Sequence, residues 1–384
     1  MTDTDLAAVV ADHRGAVREW LASTADVLAE FRVDHRSAEA ALQSGRRFTR
    51  LLFDQGWGRC GWPQTAGGLG GPAVLRHVLY DELEGAGYPV PVQYEILETM
   101  APSVLAFAPA VAKRLLPAAL SGERPWAQGF SEPEAGSDLA SLRCRARRDG
   151  DDYVVCGQKI WTSHGVGAAC IGTLVRTGTS ESRHRGLSML MIDLDVPGVG
   201  VRPIRFANGH NELAEVFFDD VRVPADRLVG AEGQGWDVAM FLLQYERGNY
   251  AWMRQAHIGR LVATLAASAD ASDQAMMSEV GAAWLAQQAV RIRCGRTVLR
   301  LGAGEALGPD ISIDKVLLGA AEQRVCDAAQ SIRRPEFVFS DADVDEAWRA
   351  NWFYTRASTI YGGAAEIQRS IIADRVLKLP KEGR

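Results

Sequence analysis

Residues 151–163 read DDYVVCGQKIWTS, and this stretch indicates the fold class. It is rich in β-branched and aromatic side chains, which favour strands over helices. Residues 186–204 and 213–230 share this composition, and Gly, Pro and Asp turns separate the three segments. Between about Trp126 and Val229 the chain therefore predicts the strands of an antiparallel sheet or barrel.

Helical periodicity lies on both sides of these strands. Before them, residues 17–31 and 37–56 carry apolar side chains three and four positions apart. After them, residues 236–269, 278–302 and 312–332 each predict one long amphipathic helix, and together they suggest a bundle. The order of helices, strands and helices predicts an α+β fold.

Composition and charge narrow the classes of function. The chain has 384 residues, a net charge of −6 and no basic stripe interleaved with aromatics, so nucleic acid is not an expected partner. Six scattered cysteines form no CxxC pair and no Cys/His ligand spacing, so we expect reduced thiols and no metal site. The acidic start and the lack of a long apolar run predict neither a signal peptide nor a membrane span, and hence a cytoplasmic protein.

Residues 129–141, GFSEPEAGSDLAS, are the densest local signal for a ligand site. Turn-forming residues surround carboxylates, and the hydroxyls of Ser131 and Ser137 are placed to face a ligand. The same pattern is typical of a plain connecting loop in which Ser137 or Asp138 caps a turn. The stretch alone therefore leaves both interpretations open.

A second candidate is KIWTSHG, residues 159–165. The wide indole of Trp161 beside the hydroxyls of Thr162 and Ser163 suits a planar heteroaromatic ligand, through stacking and hydrogen bonds at its edge. A tryptophan in the core, with Ser163 at the end of a strand, fits the pattern equally well. His164 has no partner at a metal-ligand spacing, so we expect no metal there.

A third candidate is IYGGAAEIQR, residues 360–369. Gly362 and Gly363 permit backbone angles that a side chain forbids, so the chain turns there or approaches another group closely. One interpretation is a phosphate-bearing ligand at the start of a helix, and the other is a plain turn before that helix.

These three motifs, in this order, resemble the acyl-CoA dehydrogenase family, and residues 56–71 and 217–230 resemble the family's flanking segments. The resemblance covers nearly the whole chain apart from its first residues and about 265–345. It implies an N-terminal helical domain (1–125), a central antiparallel β-barrel-like domain (126–230) and a C-terminal four-helix bundle (231–384). It also implies FAD, bound between the last two domains and completed by a neighbouring subunit.

The family desaturates an acyl-CoA thioester: a carboxylate removes the α-proton and the flavin takes the β-hydride. Many members carry that carboxylate at the position of Gly362, and a flavin-contacting threonine at the position of Ala364. Other branches carry the base in a Glu-Arg pair upstream, which matches Glu246 and Arg247 here. By this resemblance we predict Glu246 as the base, although a Glu-Arg pair by itself is typical of a solvated helix face.

The resemblance assigns the remaining roles by position. The Gly362 N–H would help to hold the thioester carbonyl, a role that needs no side chain. Arg247 and Ser137 would bind substrate, Ser137 near the CoA phosphates. The predicted FAD contacts are Phe130, Ser131, Trp161, Ser163, Gly363 and Glu366.

Two departures from the family keep other functions open. No arginine followed by Gln or Thr, Phe and Gly occurs between Arg254 and Gln288, and residues 331–348 replace a glycine-rich stretch. Some actinobacterial-type relatives with bulky substrates share such losses and work as mixed assemblies. The alternatives are therefore a non-catalytic subunit of a mixed assembly and an oxygen-using flavin oxidase or monooxygenase. The resemblance further implies an electron-transferring flavoprotein as acceptor, and a homo- or hetero-oligomer (dimer or tetramer).

Overall fold

The computed structural model describes residues 3–32, 38–207, 209 and 211–380. The helices, in chain order, are α1 (Asp3–Ser23), α2 (Ala25–Leu28), α3 (Ala38–Asp54), α4 (Val74–Gly85), α5 (Gln93–Phe107), α6 (Pro109–Leu120), α7 (Gly235–Tyr245), α8 (Ala251–Ser268), α9 (Gln274–Gly302), α10 (Ser312–Phe339), α11 (Asp343–Thr355) and α12 (Ala365–Ile371). The strands are β1 (Trp126–Gly129), β2 (Arg145–Asp149), β3 (Asp152–Ser163), β4 (Cys170–Arg176), β5 (Leu187–Asp193), β6 (Val199–Ile204), β7 (Leu213–Pro224) and β8 (Leu228–Val229). This order confirms the prediction of an N-terminal helical region, a central sheet and C-terminal helices.

The chain folds into two compact units, each built from separate segments. One unit takes in Met1–Asp34, Pro72–Val90 and Glu246–Arg384, so it joins α1, α2 and α4 to the C-terminal helices. The other takes in His35–Gly71 and Pro91–Tyr245, which include the whole sheet. Within the described part of the chain, no helix is both long and apolar enough to cross a bilayer.

The sheet runs in the order β6-β7-β3-β2-β4-β5-β8, and β1 pairs with β4. Most ladders are antiparallel as predicted, but the β1–β4 and β2–β4 pairings are parallel. Parallel neighbours require a long connection rather than a hairpin, and the other strands supply it here. On β3 the side chains of Tyr153 and Val155 are buried while those of Val154 and Cys156 are not, the two-residue alternation of a sheet with one face in the core.

The core of the C-terminal helices is a contiguous apolar cluster. On α10 the buried residues Leu318, Val325 and Ile332 recur at seven-residue spacing and meet apolar side chains of α8 and α9. The helix bends at Arg334, whose φ is 42°, because Pro335 disfavours helical geometry in the residue before it.

A π-helical turn, Glu246–Tyr250, stands between α7 and α8, where the sequence predicts one uninterrupted helix. One extra residue in the turn changes the direction in which the following side chains point, and such turns occur often at functional sites. The first residue of this turn is the predicted base.

Candidate functional site

The loop after β1 lies against β3 and brings two of the predicted motifs together. The backbone N–H of Ile160 donates to the carbonyl of Ser131 at 3.0 Å. Phe130, which is buried, and Ser131, which is half-buried, accept hydrogen bonds from β3 and therefore lie beside the strand segment that carries Trp161. Ser137, farther along the loop, is exposed.

A buried ion pair fixes this loop to the strand. The Lys159 ammonium, which is fully buried, donates to Glu132 Oε1 at 2.7 Å and to the Phe130 carbonyl at 3.2 Å. The same carboxylate accepts the backbone N–H groups of Arg143 (2.6 Å) and Cys144 (2.9 Å). These donors satisfy the hydrogen-bonding capacity of the buried Glu132 carboxylate, so the ion pair stabilises one conformation of the loop.

Trp161 lies at a β-bulge and points away from the core. The β3–β7 register shifts between Lys159 and Thr162, and Trp161 takes a φ of 60° with 55% of its surface exposed. A large aromatic residue held in a left-handed conformation and left uncovered is typical of a site that presents a flat face to a ligand. Ser163 follows at the end of the strand, half-buried and paired with Leu213.

His164 forms part of the loop that follows Ser163. Its backbone N–H donates to the Glu212 carbonyl at 2.8 Å, and its Nε2 lies 3.5 Å from Glu95 Oε2. Burial lowers the pKa of His164, but the hydrogen bond to Glu95 and the charges of Glu212 and Glu95 outweigh it and raise the pKa above 6.5. Among the described residues, no group of three or more His, Cys, Asp or Glu side chains could hold a metal ion.

In the other unit, Glu246 lies against Gly362. Gly362 has a φ of +63°, and a β-carbon placed there with ideal geometry would lie 2.8 Å from Glu246 Oε1. The carboxylate thus occupies the space into which a side chain at position 362 would extend. Glu246 and Gly362, separated by more than a hundred residues in sequence, are brought together by the fold.

Lys315 of α10 is a neighbour of this pair that the sequence prediction missed. Its Cε lies 3.1 Å from the same β-carbon position on Gly362, and only 5% of the residue is exposed. Its ammonium donates to the Ser358 carbonyl and lies 4.3 Å from the centre of the Tyr361 ring. The one signal in the sequence is a lysine among the apolar positions of a helix, which by itself indicates no particular partner.

The start of α12 carries unsatisfied polar groups beside Gly363. The buried side-chain amide of Gln368 and the Nε of Arg247 have no hydrogen-bond partner within the described part of the chain. A β-carbon on Gly363 would lie 2.3 Å from Gln368 Nε2 and 3.8 Å from Arg247 Nη2. Glu366 is exposed and lies 3.7 Å from Arg369.

The polar and aromatic side chains described above can be compared with what FAD requires of its binding site. A flavin needs a flat apolar contact and hydrogen-bond partners for its polar edge and phosphates. Within the unit that contains the sheet, the exposed indole of Trp161 provides a flat contact, and the buried Thr162 hydroxyl, which has no partner among the described residues, provides a hydrogen-bonding group. These residues therefore fit such a cofactor.

Comparisons with known proteins identify the family. Residues 127–221 match the model of the acyl-CoA dehydrogenase middle domain, and residues 233–377 match that of the C-terminal domain. Acyl-CoA dehydrogenase IpdE1 of Mycobacterium tuberculosis is 38% identical over 98% of this chain and 99% of its own length. The Tcur3481-Tcur3483 steroid ACAD structure has a TM-score of 0.82 at 25% identity over 98% of each chain. The ChsE4-ChsE5 complex of Mycobacterium tuberculosis has a TM-score of 0.79 at 26% identity, over 100% of this chain and 99% of that one.

The chain belongs to the acyl-CoA dehydrogenase family. It is an oxidoreductase of the class that acts on acyl-CoA, and the family's cofactor is FAD.

Proposed function

We propose that the chain dehydrogenates an acyl-CoA thioester at its α and β carbons, with Glu246 as the base that removes the α-proton. The observation that supports this most strongly is the 2.8 Å between Glu246 Oε1 and the β-carbon position of Gly362. A carboxylate that reaches this space from the π-helical turn replaces the one that position 362 lacks.

In the proposed reaction, different residues of the chain have different roles. FAD, when bound, supplies the acceptor for the β-hydride. The Gly362 N–H polarises the thioester carbonyl, which makes the α-proton acidic enough for Glu246 to take. Arg247 and Ser137 bind the substrate in this proposal. The residues proposed to hold the flavin are Phe130, Ser131, Trp161, Ser163, Gly363 and Glu366.

The substrate class we propose is a bulky acyl group, such as a steroid-derived acyl-CoA. The support is the similarity to a structure named as a steroid ACAD, together with the lack of a side chain at Gly362. The finer fold expectations belong to the same proposal: domains at 1–125, 126–230 and 231–384, with a barrel-like sheet and a four-helix bundle. We also propose an electron-transferring flavoprotein as the acceptor.

A second candidate is a non-catalytic subunit that completes the site of a partner chain. Ala364 stands where relatives carry a flavin-contacting threonine, and one structural neighbour is a complex of two differently named proteins. In this candidate function the chain would work only as part of a hetero-oligomer.

The visible spectrum of the chain purified alone separates the two functions. We expect flavin absorbance and anaerobic bleaching on addition of a bulky acyl-CoA. A colourless chain that gains colour and activity only on co-expression with a partner would support the non-catalytic subunit. Rapid reoxidation of the bleached chain by air, without an electron-transferring flavoprotein, would select an oxidase or monooxygenase.

A further inference from the structure

Lysine is rare in this chain, and two lysines of its described part are buried. The sequence contains five, Lys113, Lys159, Lys315, Lys378 and Lys381, and arginine provides the other basic side chains. Lys159 and Lys315 are 0% and 5% exposed. Burial of an ammonium is costly unless strong partners compensate, so each buried lysine calls for a physical explanation. Lys159 has one in the Glu132 ion pair.

Lys315 joins the base to the turn that carries Gly362. Its ammonium is held by the Ser358 carbonyl and by the face of the Tyr361 ring. Ser358 lies in the short 3-10 helix Arg356–Thr359 and Tyr361 follows it, so both residues come just before Gly362. The Lys315 Cε lies 3.1 Å from the ideal β-carbon position of Gly362, and Glu246 Oε1 lies 2.8 Å from the same position. One side chain therefore touches the turn with the proposed carbonyl-binding amide and lies beside the proposed base.

Charged and titratable groups from four elements face Lys315. They are Glu322 of α10, Glu246 and Arg247 of the π turn, Arg254 of α8 and Tyr361 of the turn after α11. Glu322 is itself held by Arg254 at 2.6 Å and by the Tyr361 hydroxyl at 3.0 Å. Burial lowers the pKa of Lys315 to about 8, against the opposing charges of Glu322 and Glu246. The ammonium is thus charged below about pH 8 and loses its proton as the pH rises through that value.

We propose that Lys315 is a positioning residue that orients the Glu246 carboxylate across Gly362 through its ammonium charge. The proposal rests on the proposed function for its role in the reaction. The charges of Glu246 and Lys315 act on each other, so the ammonium favours one direction of the carboxylate oxygens. The contacts of the ammonium with Ser358 and Tyr361 fix where it lies. A neutral side chain of the same length fills the volume and gives no such orientation.

The charge coupling is testable without flavin or substrate. When the protein is isotopically labelled at its lysines, the NMR spectrum contains signals from five lysine side chains. The signal that disappears in Lys315→Arg is that of Lys315. We expect this signal to titrate near pH 8, and Glu246→Gln to lower the midpoint by about one unit, because the charge of Glu246 raises the pKa of the Lys315 ammonium. An unchanged midpoint in Glu246→Gln would overturn the proposal.

The effect on the reaction is measured by anaerobic flavin bleaching between pH 6 and 10. We expect Lys315→Met to slow bleaching at least tenfold with a KM change below twofold, and Lys315→Arg to recover most of the rate. The wild-type rate should fall as the pH rises through about 8, whereas Lys315→Arg stays level because arginine keeps its charge.

The NMR titration and the bleaching kinetics distinguish a failure of the role proposed for Lys315 from a failure of the proposed function. Wild-type behaviour of Lys315→Met, or a pH profile shared by wild type and Lys315→Arg, would show that Lys315 only fills space. Should Lys315→Met fail to fold, the midpoint in Glu246→Gln and the profile of Lys315→Arg decide the question. Undiminished bleaching in Glu246→Gln would contradict the proposed function instead, whatever the Lys315 signal does.

Discussion

The Glu246 carboxylate lies 2.8 Å from the point at which a side chain on Gly362 would begin. The two residues come from a π-helical turn and from a turn after α11, and they meet inside one compact unit. Gly362 has no side chain, and the Glu246 carboxylate occupies the space that this leaves. The proposed proton transfer depends on this relationship.

Gly362→Ala should impair the reaction more than it impairs folding. The added methyl group would overlap the Glu246 carboxylate, and a φ of +63° strains any L side chain by about 1–2 kcal/mol. We expect bleaching to slow at least tenfold while bound flavin is retained. Gly304→Ala is the matched control, since its φ is +77° and, among the described residues other than its chain neighbours, no atom lies within 4 Å of the added carbon. Equal kinetic losses in both variants would contradict the account.

Lys159→Met should destabilise the unit that contains the sheet. It leaves the buried Glu132 carboxylate without its cation, a change that costs about 3–5 kcal/mol in comparable buried pairs. Loss of the pair should also release the Phe130–Ser131 segment and lower flavin occupancy. Thermal unfolding and the ratio of flavin to protein absorbance measure the two effects.

The control for that experiment is an exposed ion pair of the same loop. The Arg143 and Glu134 side chains are 2.7 Å apart but 78% and 71% exposed, so Arg143→Met should leave the unfolding temperature almost unchanged. A similar loss of stability in both variants would mean that burial of the Lys159–Glu132 pair is not what holds the loop.

Trp161→Leu should weaken flavin binding without destabilising the chain. The indole is 55% exposed, so its removal costs little packing, but a stacked aromatic pair contributes about 0.5–1.5 kcal/mol. We expect the Kd for FAD, measured by titration of the apoprotein, to rise up to about tenfold. Trp284→Leu, at a residue 50% exposed on α9, controls for loss of a surface tryptophan and should bind FAD normally.

Glu84 should make the stability of its unit depend on acid pH. Burial raises the pKa of Glu84, but hydrogen bonds and charge from His257 and Arg260 outweigh it and hold the pKa at about 2. Because the folded pKa lies below the unfolded value of 4.5, the stabilisation is complete above pH 4.5 and is lost as the pH falls through about 2. The shift corresponds to roughly 3 kcal/mol.

Thermal unfolding of Glu84→Gln at several pH values checks this effect. The gap in unfolding temperature between wild type and variant should be constant above pH 4.5 and narrow below it. A gap that stays constant down to pH 3 would contradict the assignment. Glu279→Gln, which breaks a half-exposed pair with Arg324 at 2.7 Å, should show almost no gap at any pH.

The sequence predicts the broad fold because its signals are local. Strand composition around Tyr153 and the apolar spacing of α9 and α10 depend on neighbouring residues, and the structure has both. The π turn at Glu246 was not predicted, because the same apolar spacing suits an uninterrupted helix. The parallel β1–β4 pairing was also missed, since it joins segments about forty residues apart that no local pattern links.

The candidate site also combines features that local sequence signals predict with contacts between distant segments that they do not predict. Resemblance to the family is sufficient to single out Glu246 and Gly362, but only the fold shows that one occupies the space beside the other. Lys315 was not predicted because its partners, Ser358 and Tyr361, lie more than forty residues away in sequence. Their contact is produced by packing of α10 against the turn, which no spacing in the sequence encodes.

The central claim is that Glu246 removes the substrate α-proton, and the anaerobic bleaching of Glu246→Gln tests it most directly. Glutamine keeps the shape of the side chain but is not a base at neutral pH, so the flavin spectrum should be normal before mixing. We expect this variant to bind flavin and acyl-CoA and to bleach at least a thousandfold more slowly than the wild type. Bleaching at the wild-type rate would contradict the account.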